Sequence, residues 1–166
     1  GYAEFALARA AVVAPKPASL DFAQAGAVPL AALTAWQMLN ENGGLVAGQR
    51  VLVHAAAGGV GLIATQWLNA LGVQVIGTVG SAEKAVLAKK AGCAHVINYS
   101  TENFTQRVKE ITGGKGVPVV FDSVGKSTWE GSLDCLQPRG MMVSFGNASG
   151  AVAPFSIGIL AQKGSL

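Results

Sequence analysis

The stretch HAAAGGVGLIATQW, residues 54–67, marks a change from strand-like to helix-like sequence. The run RVLVHA, residues 50–55, is rich in valine and leucine, as in a buried strand. The residues after the glycines place apolar side chains at the i, i+3, i+4, i+7 spacing of an amphipathic helix: Val60, Ile63, Ala64, Trp67 and Leu71. The stretch therefore predicts a tight turn from a strand into a helix, made of residues with small side chains.

The same alternation continues along the chain. Strands are predicted over residues 50–55, 73–79, 95–99, 117–122 and 140–146, and helices between them over residues 59–71, 81–91, 101–111 and 126–136. Strands that are apolar on both faces and separated by helices pair in parallel through right-handed crossovers, with helices on both sides. The sequence therefore predicts an α/β fold, a doubly wound parallel sheet of the Rossmann type in three layers, α/β/α.

Three further segments precede the region of alternating strands and helices. Residues 2–13 are β-like, and residues 14–21, APKPASLD, are interpreted as a linker because they carry two prolines. A further helix is predicted over residues 22–39. Because proline cannot donate a hydrogen bond to a neighbouring strand, Pro118 predicts that its strand effectively begins at Val119.

The glycines of the first turn predict a phosphate site. In a doubly wound sheet, ligands bind beyond the carboxyl ends of the strands, where a helix N-terminus offers free N–H groups and a partial positive charge. Gly58, Gly59 and Gly61 leave room for a pyrophosphate and let the helix pack closely on its strand. Small residues also permit tight packing without a ligand, but the position inside a βαβ unit of about 30 residues favours dinucleotide binding.

Two other nucleotide-binding patterns are absent from the sequence. Residues 120–128, VFDSVGKST, contain the Gly-Lys-Ser end of a P-loop but begin with Val120, where the P-loop requires glycine. Short-chain dehydrogenases carry Tyr-x-x-x-Lys, and neither Tyr2 nor Tyr99 is followed by lysine at that spacing.

The end of the second strand indicates which nucleotide binds. An NAD site usually places Asp or Glu about 20 residues beyond the glycine motif to hold the ribose 2′-hydroxyl. Residues 77–81 contain no carboxylate, and Lys84 follows in the next helix. Lys84 alone would be an ordinary surface lysine, but together with Gly80 and Ser81 it would stabilise a 2′-phosphate, so NADPH is favoured.

The charge pattern argues against nucleic acid as a partner. Charged residues make up only 13% of the chain, and the net charge is +3. Lys84, Lys89 and Lys90 form the densest cluster, and at helical spacing they indicate an ordinary solvated face.

Membrane and metal sites are not predicted either. Residues 51–82 lack charge, but Gln66 and Asn69 interrupt the run, so no uninterrupted apolar span is long enough for a membrane. Cys93 and Cys135 have neither disulfide-framework nor zinc-ligand spacing, which predicts a reducing, cytoplasmic setting and no metal.

The chain resembles the zinc-independent quinone oxidoreductases, the zeta-crystallin-like branch of the medium-chain dehydrogenase/reductase superfamily. The resemblance covers essentially all 166 residues. Its motifs are HAAAGGVGLIATQW, VIGTVGS-EK, VINY, ITGGKGV, VFDSVGK-T, SLDCLQPRGMMVSFGNASG and KGSL.

The resemblance implies three sets of cofactor-binding residues. The pyrophosphate would be lined by Gly58, Gly59 and Val60. The adenosine 2′-phosphate would be surrounded by Gly80, Ser81, Lys84 and Tyr99. The nicotinamide half would be reached by Thr34, Val124, Phe145, Gly146 and Asn147. No catalytic residue is assigned: His54, at the end of a buried strand, is interpreted as structural, and His95, at the start of a strand, is given no catalytic role.

The resemblance also implies domains and a reaction. Residues 1–20 would be the tail of a β-rich substrate domain with its linker, and residues 21–166 the NADPH-binding domain. The whole enzyme would transfer hydride from NADPH to a quinone, whereas the isolated chain is expected to show little turnover. A homodimer is expected to form through residues 149–161. The alternatives are a 2-alkenal or enoyl reductase and a non-catalytic, crystallin-like nucleotide-binding protein.

Overall fold

The computed structural model describes residues 3–41 and 44–162, without the side chains of Glu41 and Gln162. The helices are α1 (Phe22–Glu41), α2 (Gly59–Ala70), α3 (Ala82–Ala91), α4 (Phe104–Thr112), α5 (Trp129–Cys135) and α6 (Gly158–Gln162), preceded by a 3-10 turn at Ala10–Val12. The strands are β1 (Arg50–Val53), β2 (Gln74–Val79), β3 (His95–Asn98), β4 (Val117–Asp122) and β5 (Leu136–Ser144).

The five strands form one parallel sheet in the order β3-β2-β1-β4-β5. The chain starts in the middle at β1, moves outward to β3, and then returns to the other side of β1. This order is that of a doubly wound fold, whose ligand crevice opens beside the first strand at the carboxyl ends. The predicted fold class is confirmed.

Helices cover both faces of the sheet, so the molecule has three layers. On the face of α1, α2 and α3, the core includes Met38, Val51, Val53, Leu68, Val75, Ala88 and Phe121. On the face of α4 and α5, it includes Leu52, Ile76, Ile97, Val108, Val120 and Leu133. Successive residues of β1 alternate between the two cores because neighbouring side chains of a strand point to opposite faces.

The β structure predicted for residues 2–13 is wrong over the part that the structure describes. Residues 3–13 contain no strand, and only Ala10–Val12 forms a short 3-10 turn. Phe5 and Leu7 are 90% and 106% exposed. A strand needs a neighbour for its backbone hydrogen bonds, and all strands of the described sheet pair with one another instead.

The edge strand β5 begins earlier than predicted, at Leu136 rather than at residue 140. Leu136 pairs with Val117, the register then shifts, and regular pairing continues from Val119 with Met141. Pro118 lies at this irregularity, where its missing N–H costs no ladder bond. The predicted strand start at Val119 is wrong, because β4 begins at Val117, although regular pairing with β5 begins only at Val119.

Candidate functional site

The N-terminus of α2 is open to an anion. Its N-cap residue, Gly58, makes no side-chain cap hydrogen bond, and the first turn contains no acidic residue. By contrast, side chains cap α3 and α4, where Ser81 accepts from Lys84 N–H and Asn103 accepts from Gln106 N–H. The first N–H groups of α2 are thus left for an external acceptor.

The glycines of this turn serve different purposes. Gly58 and Gly59 are exposed, and a Cβ on Gly59 would meet only Ala31 Cβ, at 3.9 Å. Gly61 is buried, and a Cβ there would lie 2.3 Å from the carbonyl oxygen of Ala55. Gly61 therefore lets the helix approach the loop, whereas Gly58 and Gly59 leave space toward solvent.

The side chain of Val60 packs against the core on the α1–α3 face of the sheet. Only its backbone N–H is therefore directed toward the open helix end. This arrangement fits the phosphate-binding role that the resemblance implies, because that role uses the backbone.

A cavity of about 530 Å³ opens at the carboxyl ends of β1, β2 and β4. It is lined by His54, Ala55, Thr78, Tyr99, Phe104, Val124, Ser127, Thr128, Ala148 and Ser149. Of the predicted cofactor residues, Tyr99 and Val124 lie in this wall. The other lining residues were not predicted. Thr78 could have been, because a polar side chain at the carboxyl end of a parallel strand indicates a position beside the ligand crevice.

The residues predicted for a 2′-phosphate come together beside this cavity. A Cβ on Gly80 would lie 2.5 Å from the hydroxyl oxygen of Tyr99, so the glycine makes room for that ring. The hydroxyl of Ser100 donates to the carbonyl of Gly80 at 2.9 Å and ties the two loops together. Lys84 is exposed in the first turn of α3, and its N–H donates to Ser81 Oγ at 3.3 Å.

Glu83 places a negative charge next to the residues that are predicted to bind the 2′-phosphate. It is exposed in the first turn of α3, and a hydrogen bond from Ser81 holds the pKa of its carboxyl below the ordinary value. Residues 77–81 contain no acid that would repel a 2′-phosphate, but Glu83, two residues further along the chain, does carry a negative charge. A phosphate bound here would be attracted by Lys84 and repelled by Glu83.

The loop after β5, with Phe145, Gly146 and Asn147, is fastened to the loop after β4. Phe145 N–H donates to the carbonyl of Asp122 at 2.9 Å. A Cβ on Gly146 would lie 2.8 Å from the carbonyl oxygen of Ser123, so the two loops approach closely there. Phe145 is half-buried against the core on the α1–α3 face, and Asn147 is exposed.

Thr34 lies on α1, outside the wall of the cavity. Its hydroxyl donates to the carbonyl of Leu30 in the preceding turn, at 2.8 Å. One turn before Thr34, Ala31 faces Gly59 at the start of α2. The structure thus brings Thr34 near the open helix end but uses its hydroxyl proton within α1.

Asp122, at the end of β4, is fully buried and accepts four hydrogen bonds. The N–H groups of Val124 and Gly125 donate to Oδ1 at 2.7 and 3.0 Å. The hydroxyls of Thr128 and Ser132 donate to Oδ2 at 2.7 and 2.8 Å. Burial alone would raise the pKa of this carboxyl, but these donors together with nearby His54 lower it, so Asp122 is ionised at neutral pH.

His54, which ends the first predicted strand, is buried, and both of its ring nitrogens have partners. Nδ1 lies 2.9 Å from Thr78 Oγ1, and Nε2 lies 3.0 Å from Ser132 Oγ. Burial lowers the pKa of the ring to about 4, against the opposing effect of Asp122, so His54 is neutral at neutral pH. Sequence reasoning missed the partners because Thr78 and Ser132 belong to two segments far from His54 in the sequence.

Within residues 3–41 and 44–162, no three His, Cys, Asp or Glu side chains are placed to hold a metal. Among the described helices, none is long and apolar enough to cross a membrane.

Comparison with known proteins gives consistent matches. Residues 59–165 match the family model described as "Zinc-binding dehydrogenase". The quinone oxidoreductase of Pseudomonas aeruginosa is 59% identical over 150 residues, which are 90% of this chain and 46% of that protein. A 2-haloacrylate reductase from Burkholderia is 50% identical over 143 residues, 86% of this chain and 43% of that protein.

A solved structure is also similar. The crystal structure of Escherichia coli quinone oxidoreductase complexed with NADPH is 58% identical, with a TM-score of 0.88. The match covers 92% of this chain and 47% of that one. The chain spans about half the length of the curated relatives that it matches.

Proposed function

Since the chain belongs to the zinc-binding dehydrogenase family, we propose that it is the NADPH-binding domain of an oxidoreductase that transfers hydride to a quinone. The observation that carries the proposal is the exposed, uncapped N-terminus of α2 at the carboxyl end of β1. The relatives named quinone oxidoreductase, at 59% identity, support the choice of reaction and confirm the resemblance predicted from sequence.

The open end of α2 would hold the pyrophosphate. Gly59 presents an N–H group with no side chain around it, and Val60 adds its backbone N–H while its side chain packs against the core. Gly58, whose own N–H donates to the carbonyl of Ala55 at 2.8 Å, leaves the approach free of a side chain. The partial positive charge of a helix N-terminus stabilises an anion there. This role for the residues is a proposal supported by their exposure.

The 2′-phosphate of NADPH would lie against Gly80, Ser81, Lys84 and Tyr99. Lys84 supplies the positive charge, and the Tyr99 hydroxyl lies beside Gly80, at the carboxyl end of β2. An NADPH complex of a 58% identical protein supports this cofactor over NADH.

Bound NADPH supplies the hydride from C4 of its nicotinamide, and the protein supplies position. Phe145, Gly146 and Asn147 would line the nicotinamide half, with Val124 and Thr34 at its margins. The loop of residues 145–150 is held by backbone hydrogen bonds to the loop after β4, which keeps this wall in place.

A second candidate acceptor is a conjugated carbonyl compound, such as a 2-alkenal or an enoyl thioester. The 50% identity to a 2-haloacrylate reductase favours it. Turnover of the full-length protein with NADPH separates the candidates: a quinone preferred over an enal supports the quinone assignment. Nucleotide binding without turnover of any acceptor would favour a non-catalytic, crystallin-like role.

We further propose a homodimer and a cytoplasmic setting. β5 is an edge of the described sheet, and Met141, Phe155 and Ile157 near it are 48%, 46% and 75% exposed. The free, buried thiols of Cys93 and Cys135 suit a reducing compartment.

A titration of the full-length protein with NADPH and NADH tests the cofactor assignment. Lys84→Ala is expected to weaken NADPH binding about tenfold and to leave NADH binding unchanged, because only NADPH carries the charge that pairs with this lysine. Glu83→Gln is expected to act in the opposite direction by removing a like charge.

Lys89→Ala is the matched control, because Lys89 is exposed on the same helix but in its last turn. It is expected to leave both affinities unchanged. Equal affinity for the two nucleotides, unaffected by Lys84→Ala, would contradict the 2′-phosphate site.

A further inference from the structure

Four buried polar side chains form a continuous hydrogen-bonded line beneath the cavity. Asp122 is joined to Ser132 at 2.8 Å, Ser132 to His54 at 3.0 Å, and His54 to Thr78 at 2.9 Å. Their residues are at most 2% exposed. The proposed binding of a nucleotide uses none of these contacts, although His54 and Thr78 lie in the cavity wall.

The direction of each hydrogen bond follows from counting protons, starting at Asp122. An ionised carboxylate only accepts, so the single hydroxyl proton of Ser132 is donated to Asp122. The Ser132 oxygen can then only accept from His54, which places a proton on Nε2. The negative charge of Asp122 thus determines the direction of the next bond along the line.

A neutral imidazole carries one proton, so Nδ1 of His54 has none when Nε2 is protonated. Nδ1 must accept, and Thr78 therefore donates its only hydroxyl proton to His54. With its only proton donated to His54, Thr78 Oγ1 can act toward the cavity only as an acceptor, through its lone pairs. Phe104 packs edge-on against the His54 ring, with centroids 5.0 Å apart at 89°, and helps to hold the ring plane.

We propose that Asp122 is a positioning residue that, through Ser132, holds His54 in its Nε2–H tautomer and makes Thr78 Oγ1 a hydrogen-bond acceptor in the cavity. A ligand group that donates a hydrogen bond, such as a hydroxyl or an amino group, is then favoured beside Thr78. The ligand half of this inference rests on the proposed nucleotide function. The tautomer half concerns the protein without nucleotide and is tested independently.

Nitrogen NMR of the full-length protein labelled with 15N-histidine tests the tautomer. At neutral pH, His54 is expected to show a protonated Nε2 and an unprotonated Nδ1. The signals that are lost in His54→Gln identify those of His54, however many other histidines the full-length protein contains. Finding Nδ1 protonated in the unsubstituted protein would overturn the proposal, whatever the variants do.

Ser132→Ala tests the transmission from Asp122. Without the Ser132 hydroxyl, a proton on Nε2 would be buried without an acceptor, which is costly. The proton is therefore expected to move to Nδ1 and to be donated to Thr78, so the tautomer reverses. An unchanged tautomer in Ser132→Ala would contradict the proposal that Asp122 determines the His54 tautomer through Ser132. Glu130→Gln, at an exposed carboxylate of the same helix, is expected to leave the tautomer unchanged.

NADPH titration of the same variants tests the consequence for binding. In Ser132→Ala, the Thr78 proton is free to point into the cavity, so NADPH affinity is expected to fall about fivefold, as for one lost hydrogen bond. Glu130→Gln is expected to bind as the unsubstituted protein does. A reversed tautomer with unchanged affinity would overturn the ligand half. No NADPH binding by the unsubstituted protein would instead refute the proposed function and leave the tautomer result standing.

Discussion

His54 illustrates how burial and hydrogen bonding together determine the charge of one residue. Its ring is 2% exposed, and each nitrogen meets a hydroxyl. Two hydroxyls are suitable partners for a neutral ring, because one ring nitrogen donates a hydrogen bond, the other accepts one, and no counter-charge is needed. The sequence-based interpretation of His54 as structural agrees with these contacts. The proton count adds that its tautomer depends on Asp122.

The neutral state of His54 predicts a pH dependence of stability. Because the folded protein holds the pKa near 4 while the unfolded chain has the ordinary 6.5, the unfolded state binds a proton first as pH falls. The resulting stability is fully present above pH 6.5, declines between about pH 6.5 and 4, and levels off below that. The loss is expected to be about 3 kcal/mol in the free energy of unfolding.

Urea unfolding at a series of pH values measures this decline. In His54→Gln, which has no titrating ring, the decline over that pH interval is expected to be much smaller. The same slope in both proteins would show that His54 is not the group responsible.

The turn between β1 and α2 combines two requirements in one short element. Gly58 and Gly59 keep side chains away from the open helix end, whereas Gly61 keeps a side chain out of the contact with Ala55. Ala55 itself has a positive φ of 52°, which turns its carbonyl toward the N–H of Gly58 at 2.8 Å. The element is therefore shaped by packing on one side and left open on the other.

Substitution of Gly61 is expected to separate these requirements. In Gly61→Ala, the new Cβ would meet the backbone carbonyl of Ala55 at 2.3 Å, so α2 must shift away from its loop. The expected loss in the free energy of unfolding is about 1–3 kcal/mol, as for other overpacked sites. Chemical denaturation monitored by circular dichroism measures it.

Gly59→Ala is the matched control on the same helix, because its Cβ has only Ala31 Cβ nearby, at 3.9 Å. It is expected to leave stability unchanged or slightly higher, since alanine favours helix. Equal losses in the two variants would mean that Gly61 is no more tightly enclosed than Gly59.

At the scale of the whole molecule, much apolar surface is left uncovered. Charged residues make up 13% of the chain, about half of the usual fraction. Exposed large apolar side chains occur on α1 and near β5, among them Phe22, Leu30, Leu33, Met141 and Ile157. Surface of this kind marks contacts with other protein segments or chains.

The proposed homodimer uses the surface near β5. Sedimentation of the full-length protein at micromolar concentration is expected to show a dimer, and Ile157→Asp is expected to weaken it by burying a charge in the contact. Val86→Asp is the control, because Val86 is also exposed, at 67%, but lies on α3. A monomer at micromolar concentration in the unsubstituted protein would contradict the proposal.

The sequence by itself determined the order of strands and helices, the parallel doubly wound sheet and the glycine-containing turn from β1 into α2. These features follow from local signals: the spacing of apolar residues, and glycines placed between a strand and a helix. The roles of Thr34, Val124 and the loop after β5 stay predictions, because they depend on a bound nucleotide.

Only the tertiary structure decided the contacts between distant segments. Residues 3–13 have a strand-like sequence but pair with no strand among the described residues, and Leu136 joins β5 because Val117 lies opposite. The line from Asp122 through Ser132 and His54 to Thr78 spans four elements or their ends, and no local pattern predicts it. Strand pairing and buried hydrogen bonds depend on which segments the fold brings together, and a local sequence pattern does not contain that information.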